Sequence, residues 1–340
     1  MIAFVTEGGN DIGMGHYIRC FGIAESLAAQ GEDICFIIPP DADGSFPEST
    51  GFDTHMLQKS PASGWDVDEV CALLRKLNIS TVIADSYRLD NDDLGHIRNV
   101  CRIIFLDDLD TYDCNVDAVI NFTPGADEDK YLVADVPGRE VYAGAEFYPL
   151  RREFEGKRKP DLRKNVRTVL LTSGSTDPYE CVLFILKEIG PDLYRDISFV
   201  VLVGRYYLEE YKDKLSVFCG SHKNVSLHAW GNCISDELAK ADIIITPGSS
   251  TVMEGLSLNV PCIIYEFADN QHETVKWLEG SKMAASFGRL PVGENDACVR
   301  KVFDAELDQR VRLYRSSVYS GAFDGKGLNR VTDIIRRRIY

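Results

Sequence analysis

Short runs of consecutive apolar residues alternate along this chain with stretches of helical periodicity, and this alternation constrains the fold more than any other feature. Residues 2–5 form one such run, and residues 17–30 then place apolar side chains at helical spacing until Gly31 ends the helix. A strand that is apolar on both faces must be covered on both faces, and alternating helices supply that cover in a parallel sheet. The pattern therefore predicts an α/β fold with doubly wound sheets.

The alternation runs to about residue 121 and starts again at residue 166. The predicted strands are residues 2–5, 34–38, 81–84, 102–106 and 118–121, then 166–171, 199–203, 225–228, 243–245 and 262–265. The predicted helices are residues 17–30, 67–77, 91–100, 179–189, 208–217, 235–240, 251–258, 271–280 and 328–338. The charge-dense segment 149–165 separates the two halves and is typical of a linker.

We therefore predict two Rossmann-like domains, residues 1–150 and 151–340, that face a cleft, with the last helix a candidate for packing back on the first domain. The length of 340 residues agrees with two domains of roughly 100–200 residues each. Folds of this class bind ligands outside the carboxyl ends of their strands, so the loops at those ends are where chemistry is expected.

The charge balance excludes several classes of partner. With 37 basic and 53 acidic residues the net charge is −16, which disfavours binding to nucleic acid or to an anionic membrane surface. A single phosphorylated ligand remains possible in principle, because backbone amides at a helix N-terminus bind phosphate without any basic side chain.

Cysteine usage and the apolar runs indicate a cytoplasmic protein. The ten cysteines form no C-x-x-C pair, so a zinc site is not supported, and we expect neither a metal nor a cofactor. Scattered cysteines in a chain of this length fit a reducing compartment. The first residues lack the pattern of a signal peptide, and no apolar run approaches the ~20 residues that a membrane span requires.

The glycine-rich loop 7–15 joins the first predicted strand to the first predicted helix, and His16 follows it directly. The loop is not a dinucleotide fingerprint, because Ile18 stands three residues after Gly15. A helix N-terminus favours the neutral imidazole, which can act as a general base. His16 is therefore either a general base or a side chain that hydrogen-bonds its own loop.

The loop that follows the first strand of the second half contains Gly174, Ser175 and Thr176, with Asp177 and Pro178 before the next helix. Small residues at such a position can cradle a phosphate. Capping of the helix explains the same residues equally well.

A second small-residue loop carries Ser249, Ser250 and Thr251 at the start of a predicted helix. Their amides and hydroxyls are suited to an anion. Glu254 lies one turn further, where a carboxylate can accept both hydroxyls of a ribose. The alternative is a capping box in which Glu254 closes on Ser250 or Thr251.

Two further strand ends carry polar side chains. Asn270 and Gln271 follow the strand 262–265, and amide side chains suit sugar hydroxyls or phosphate oxygens. Tyr87 follows the strand 81–84 and either stacks on a sugar or is an ordinary surface residue.

Together these segments resemble the UDP-sugar hydrolases of pseudaminic acid biosynthesis, which act on UDP-2,4-diacetamido-2,4,6-trideoxy-β-L-altropyranose, and their spore-coat polysaccharide relatives. The segments that carry the resemblance are IGMGHYIR (12–19), ADSY (84–87), LDD (106–108), YAGAEFYPLRREF (142–154), GSTD (174–177), SSTVME (249–254) and DNQ (269–271). Each is weak alone, and the signal is their joint order along the chain.

The resemblance implies a GT-B fold and a hydrolase that releases UDP from a UDP-activated amino or deoxy hexose with inversion. It implies that His16 is the base that activates water and that the protein is a cytoplasmic monomer or weak homo-oligomer. The implied sugar ligands are Gly13, Gly15, Arg19, Tyr87, Asn270 and Gln271. The implied UDP ligands are Gly174, Ser175, Thr176, Ser249, Ser250, Thr251 and Glu254.

Two alternatives share this scaffold: a glycosyltransferase that uses a UDP-sugar donor, and a catalytically silent nucleotide-sugar sensor. The sequence also departs from the hydrolase pattern in two places. Val5 stands where an Arg-x-Asp segment commonly has arginine, and Ser86 stands where some members have histidine. Both departures fall near the sugar half of the expected cleft, so the sequence does not determine which sugar is bound.

Overall fold

The structure is a computed structural model that describes residues 1–9, 14–42, 50–58, 64–134, 136–229, 231, 233–290 and 297–339. The chain divides into two compact units. Unit 1 comprises Met1–Arg152 and Lys326–Tyr340, and unit 2 comprises Glu153–Gly325. The last helix therefore belongs to unit 1, although it follows unit 2 in the chain.

Unit 1 contains a seven-stranded sheet in the order β3-β2-β1-β4-β5-β6-β7, and every pair of neighbours is parallel. Its strands are β1 (Ile2–Thr6), β2 (Ile34–Ile38), β3 (Asp53–Met56), β4 (Thr81–Asp85), β5 (Arg102–Leu106), β6 (Ala118–Asn121) and β7 (Glu140–Ala143). The central strands β1 and β4 are buried along their whole length, which is why most of their residues are apolar.

The helices of unit 1 cover both faces of this sheet. They are α1 (Gly15–Ala28), α2 (Val67–Lys76), α3 (Asn91–Arg98), α4 (Glu128–Val133) and α12 (Gly327–Ile339), with a short 3₁₀ turn at Ala145–Phe147. A second 3₁₀ turn, Arg152–Phe154, begins at the end of the first segment of unit 1 and continues into unit 2. One core lies on the α2 and α3 face of the sheet. The other lies under α1 and α12, where Val331 and Ile335 pack with Phe4 and Ile23. The last helix, α12, and the first strand, β1, therefore contribute side chains to the same core.

Unit 2 repeats the same architecture with six parallel strands in the order β10-β9-β8-β11-β12-β13. Its strands are β8 (Thr168–Leu171), β9 (Ser198–Val203), β10 (Val225–Ala229), β11 (Ile243–Pro247), β12 (Cys262–Glu266) and β13 (Ala285–Arg289). Its helices are α5 (Cys181–Ile189), α6 (Glu209–Ser221), α7 (Ser235–Lys240), α8 (Ser250–Ser257), α9 (His272–Gly280), α10 (Ala297–Glu306) and α11 (Gln309–Tyr319), with 3₁₀ turns at Pro191–Leu193 and Asp269–Gln271.

The two parallel sheets, each with helices around it, confirm the predicted α/β fold class. The structure adds strands β3, β7 and β13 and helices α4, α10 and α11, which the periodicity did not predict. Among the described residues, no helix combines the length and the apolar character that crossing a bilayer requires.

The packing of α12 in the unit 1 core can be tested by substituting one of its buried residues. We expect Ile335→Ala to lower the free energy of unfolding of unit 1 by about 2–5 kcal/mol, because Ile335 is fully buried. The exposed Asp333 on the same helix is the control, and Asp333→Ala should change that free energy by less than about 0.5 kcal/mol. Urea unfolding followed by the buried Trp65, with Trp230 and Trp277 replaced by Phe, reports on unit 1 alone. Equal effects of the two substitutions would contradict the prediction.

Candidate active site

The carboxyl ends of the central strands of unit 1 bring four ionisable side chains together. His16 lies in the first turn of α1, Asp85 ends β4, and Asp108 follows β5. Arg19 reaches the same place from the next turn of α1. Because β1, β4 and β5 are neighbours in a parallel sheet, their carboxyl ends meet at one edge, as expected for a site in this fold class.

His16 is held by Asp85. The imidazole is almost fully buried, and its Nδ1 lies 2.7 Å from Oδ1 of Asp85, a residue 69 positions away. Burial alone would raise the pKa of Asp85, but Arg19 and His16 together hold that pKa well below its usual range. An ionised Asp85 has no proton to donate, so its 2.7 Å contact with His16 is a hydrogen bond in which Nδ1 is the donor. Nη2 of Arg19 also lies 3.0 Å from Nδ1, but it donates to Oδ1 of Asp85 at the shorter distance of 2.6 Å. In the neutral form of the imidazole, the lone pair then lies on Nε2.

That Nε2 atom is buried, and no hydrogen-bond partner for it exists among the described residues. A buried polar atom without a partner is unusual and is often a sign of a functional role. Asp85 thus orients His16 through Nδ1, while Nε2 has no described partner, and the role of His16 as a general base stays a prediction.

Arg19 forms a network of carboxylate contacts. Its Nε and Nη2 atoms donate to the two oxygens of Asp85 at 2.6 Å each, and its Nη1 donates to Asp108 at 2.9 Å. The guanidinium carbon also lies 5.2 Å from the centre of the Phe122 ring. Burial works to lower the pKa of Arg19, but the two carboxylates raise it well above its usual value. Arg19 was predicted to bind the sugar, and the structure shows it bound to two protein carboxylates.

Tyr87 lies against His16. The two ring centres are 4.4 Å apart in an edge-to-face arrangement, and the Tyr87 hydroxyl donates to Asp108 at 3.2 Å. The Tyr87 side chain is also partly exposed, so one part of the ring is held by the protein while another faces solvent. The structure therefore brings the predicted residues His16, Arg19 and Tyr87 together.

The segments that carry the two departures from the hydrolase pattern meet through Glu7, two residues after Val5, and Ser86. Glu7, which follows β1, is fully buried and accepts a 2.6 Å hydrogen bond from the hydroxyl of Ser86. Arg88 forms an ion pair with the same Glu7, and its backbone N–H donates to the Ser86 hydroxyl at 3.0 Å. Residues on both sides of Tyr87 are therefore anchored to one buried carboxylate, which fixes the backbone that presents the Tyr87 ring.

Of the two glycines predicted for the sugar site, the structure describes only Gly15. Gly15 is the first residue of α1, and a Cβ there would meet no atom within 4 Å, so crowding within the described structure does not require glycine. Gly13 lies outside the described residues, as do the other residues of the segment 10–13.

In unit 2, helix α8 begins where the sequence predicted a phosphate-binding loop. Ser249 is its N-cap residue, and within the described structure no side chain caps the helix. A capping box requires its acidic residue at the third helical position, which is Val252 here, while Glu254 stands two residues further. The capping-box interpretation of Glu254 is therefore wrong. Glu254 and Thr251 are both buried.

The Ser249 loop packs closely on the segment that carries Asn270 and Gln271. A Cβ at Gly248 would lie 2.5 Å from Cγ2 of Val275 and 3.3 Å from the backbone oxygen of Gln271, so only glycine permits this approach. Gln271 is buried, and its side-chain oxygen accepts a hydrogen bond from the Phe267 N–H at 2.9 Å. Asn270 is exposed. Of the two predicted amides, Asn270 thus has the more accessible side chain.

The loop 174–176 follows β8, the neighbour of β11, so it lies at the same sheet edge as the Ser249 loop. The carboxylate of Asp177 accepts hydrogen bonds from the N–H groups of Cys181 and Val182 at the start of α5, at 2.8 and 3.0 Å. The Tyr211 hydroxyl donates to it as well, at 2.7 Å, although burial still raises the pKa of Asp177. The capping alternative explains Asp177, whereas binding of UDP by Gly174, Ser175 and Thr176 stays a prediction.

The described part of the chain contains no group of three or more histidine, cysteine, aspartate or glutamate side chains arranged to hold a metal ion.

Comparison with known proteins supports the fold. No family model matches the chain. It is 21% identical over 345 residues to the spore coat polysaccharide biosynthesis protein SpsG of Bacillus subtilis, a match that covers 98% of this chain and 97% of SpsG. It is 24% identical over 290 residues to an uncharacterized protein of Methanocaldococcus jannaschii, covering 80% of this chain and 57% of that relative. The chain thus spans little more than half the length of the latter protein.

Solved structures resemble the chain over nearly its whole length. The spinosyn forosaminyltransferase SpnP has a TM-score of 0.71 at 13% identity, covering 99% of this chain and 98% of its own. MurG of Acinetobacter baumannii has a TM-score of 0.68 at 11% identity, covering 99% of both chains. A putative UDP-N-acetylglucosamine 2-epimerase of Listeria monocytogenes has a TM-score of 0.66 at 12% identity, covering 99% of this chain and 96% of its own. The chain has the GT-B fold. At these identities the likeness establishes the fold alone.

Two residues of this cluster were not predicted from the sequence. Asp85 and Asp108 belong to segments that carried the resemblance, but neither was assigned a role. Their position gives the signal, because each is an acidic residue at or just after the carboxyl end of a buried strand. Asp85 ends β4, the neighbour of the strand that leads to His16, and Asp108 follows β5, the next strand along the sheet.

The Arg19–Asp85 ion pair predicts a pH-dependent contribution to stability. At neutral pH we expect Asp85→Asn to lower the free energy of unfolding of unit 1 by about 3–5 kcal/mol, because a buried guanidinium loses its charged partner. The pKa of Asp85 is lower in the folded than in the unfolded protein, where it is about 3.9. Its contribution is therefore complete above about pH 4 and is lost as the pH falls towards the folded value, so the effect of the substitution should shrink.

Urea unfolding monitored by Trp65 fluorescence, from neutral pH to about pH 3.5, measures this difference. Asp92→Asn removes an exposed carboxylate from α3 and is the control, with an expected change within about 0.5 kcal/mol at every pH. A cost of Asp85→Asn that stays constant or grows on acidification would refute the assignment.

Proposed function

We propose that this protein is a nucleotide-sugar hydrolase that releases UDP from a UDP-activated amino or deoxy hexose. The observation that carries the proposal is the His16–Asp85 pair, in which Nδ1 is bound to a buried carboxylate and Nε2 has no described partner. A neutral imidazole oriented in this way is a general base.

In the proposed reaction, Nε2 of His16 takes a proton from water while the water oxygen forms a bond to the anomeric carbon. The bond between that carbon and the diphosphate oxygen breaks, and its electron pair leaves with UDP. Attack on the face opposite UDP inverts the anomeric configuration. A diphosphate is a good leaving group, so the enzyme gains most by stabilising the negative charge that develops on it.

In this proposal unit 2 binds UDP. The N-terminus of α8 presents backbone amides that no described side chain caps, and such an end attracts a diphosphate through its amides and dipole. Glu254, buried one turn into α8, would accept the ribose hydroxyls, with Gly174, Ser175 and Thr176 on the neighbouring loop. This arrangement needs no basic patch, which agrees with a net charge of −16.

The relatives support a role with activated sugars. The Bacillus protein is named for spore coat polysaccharide biosynthesis, and the name of the Listeria protein contains a UDP-amino sugar. We extend both to this chain as part of the proposal, together with the pseudaminic acid type of pathway that the sequence resemblance implies.

A glycosyltransferase is the second candidate, because SpnP is named as a transferase. There His16 would deprotonate an acceptor hydroxyl instead of water. Incubation with a panel of UDP-amino sugars and no acceptor separates the two: steady UDP release supports the hydrolase, and release only after an acceptor is added supports the transferase. Tight binding without any turnover would support a sensor.

The role of His16 can be tested by a single substitution. We expect His16→Asn to reduce kcat roughly 10²–10⁴-fold with little change in UDP affinity, because it removes the base and leaves unit 2 intact. His96→Asn changes an exposed histidine on α3 and should leave turnover unchanged. Turnover of His16→Asn close to that of the wild type would exclude His16 as the base.

The role of Glu254 is tested by nucleotide affinity. We expect Glu254→Gln to weaken UDP binding by about 10- to 100-fold, the equivalent of roughly 1.5–3 kcal/mol for hydrogen bonds to a charged group. Glu273→Gln, an exposed glutamate on α9, is the matched control. Isothermal titration calorimetry with UDP measures both, and an unchanged Kd for Glu254→Gln would remove this residue from the nucleotide site.

A further inference from the structure

We propose that Arg19 is a positioning residue, not a ligand of the sugar: its guanidinium holds Asp85 and Asp108 so that His16 and Tyr87 keep the geometry that catalysis needs. The inference rests on the proposed role of His16 as the base. Arg19 and His16 stand three positions apart on α1, so one turn of a single helix carries both the base and the group that organises its surroundings.

Because of its contacts within the protein, Arg19 offers a substrate few hydrogen-bond donors and little exposed surface. All three of its guanidinium nitrogens donate to carboxylate oxygens, two to Asp85 and one to Asp108. Its Nη2 also lies 3.0 Å from Nδ1 of His16, the nitrogen that faces Asp85. Only 15% of the side chain is exposed, and Phe122 lies next to the guanidinium. A two-pronged arginine–carboxylate pair of this kind fixes orientation as well as charge.

The charge of Arg19 determines which nitrogen of His16 carries the proton. Asp85 is fully buried, and burial alone raises the pKa of a carboxyl group. Without Arg19, Asp85 would therefore move towards its protonated form and would donate its proton to Nδ1. The proton of the neutral ring would then lie on Nε2, which could no longer accept one from water. Arg19 thus keeps the base in its active tautomer without touching the reacting atoms.

The same guanidinium also fixes Tyr87. Asp108 accepts hydrogen bonds from both Arg19 and the Tyr87 hydroxyl through one oxygen, Oδ2. The Tyr87 ring, in turn, lies edge-to-face with His16. Loss of Arg19 would leave Asp108 free to move, and the ring beside the base would lose its anchor.

The experiment combines the His16 tautomer with steady-state kinetics. Proteins with ¹⁵N-labelled histidine are examined without substrate, where protonated and unprotonated ring nitrogens resonate in separate ranges. His16→Asn identifies the signals of His16 among the six histidines. The variants are Arg19→Gln, which removes the charge, and Arg19→Lys, which keeps the charge but not the two-pronged contact.

We expect the wild type and Arg19→Lys to show the Nδ1–H tautomer, and Arg19→Gln to show a mixture or the Nε2–H tautomer. We expect kcat to fall about tenfold in Arg19→Lys and roughly 10²–10⁴-fold in Arg19→Gln, the scale of a lost general base, with KM unchanged in both. Arg98 forms an ion pair with Asp117 in the same unit at similar exposure, so Arg98→Lys and Arg98→Gln are the controls, with no change in tautomer or kcat.

A substrate ligand would behave differently. If either Arg19 variant raises KM while kcat and the tautomer stay as in the wild type, the inference is overturned. If Arg19→Gln does not fold, the kinetics of Arg19→Lys decide. A lower kcat with an unchanged KM supports the inference, and a raised KM with an unchanged kcat overturns it. The tautomer is measured without substrate, so it tests the role of Arg19 even if the protein turns over no UDP-sugar. The absence of turnover would count against the proposed hydrolase alone.

Discussion

The ion pair between Arg19 and Asp85 is the contact on which the proposed active site of unit 1 depends. Asp85 ends a strand that is buried throughout, and a carboxylate in such a place stays charged only beside a cation. Arg19 supplies that cation from α1, and the pair joins the first helix to the fourth strand. The orientation of His16 and, through Asp108, that of Tyr87 follow from it.

The sequence was sufficient to predict the central part of each sheet, because strands buried on both faces have a continuous apolar signature. It was not sufficient for β3, β7 and β13, three strands that lie at sheet edges. β3 (Asp53–Met56) and β7 (Glu140–Ala143) are only half-buried and carry charged residues, so they lack that signature. Their place in the sheet depends on pairing with β2 and β6, which is long-range information.

The candidate site was predictable only to the level of single residues. His16 could be singled out because a histidine at a loop-to-helix junction is unusual at the carboxyl end of a strand. Its partner could not, because Asp85 lies 69 residues away and meets His16 only through the order of the strands. The start of α8 shows a finer limit: a capping box with Glu254 requires a helix that begins at Val252, and the helix begins two residues earlier, at Ser250.

The discontinuous make-up of unit 1 has a consequence for biosynthesis. A ribosome completes all of unit 2 before it reaches residues 326–339, so the first 152 residues emerge with α1 but without α12, the second helix over the same face of their sheet. Until then the apolar surface around Phe4 and Ile23 lacks its cover, and such surface on a nascent chain is what chaperones recognise. The domain that begins first is therefore the one that finishes last.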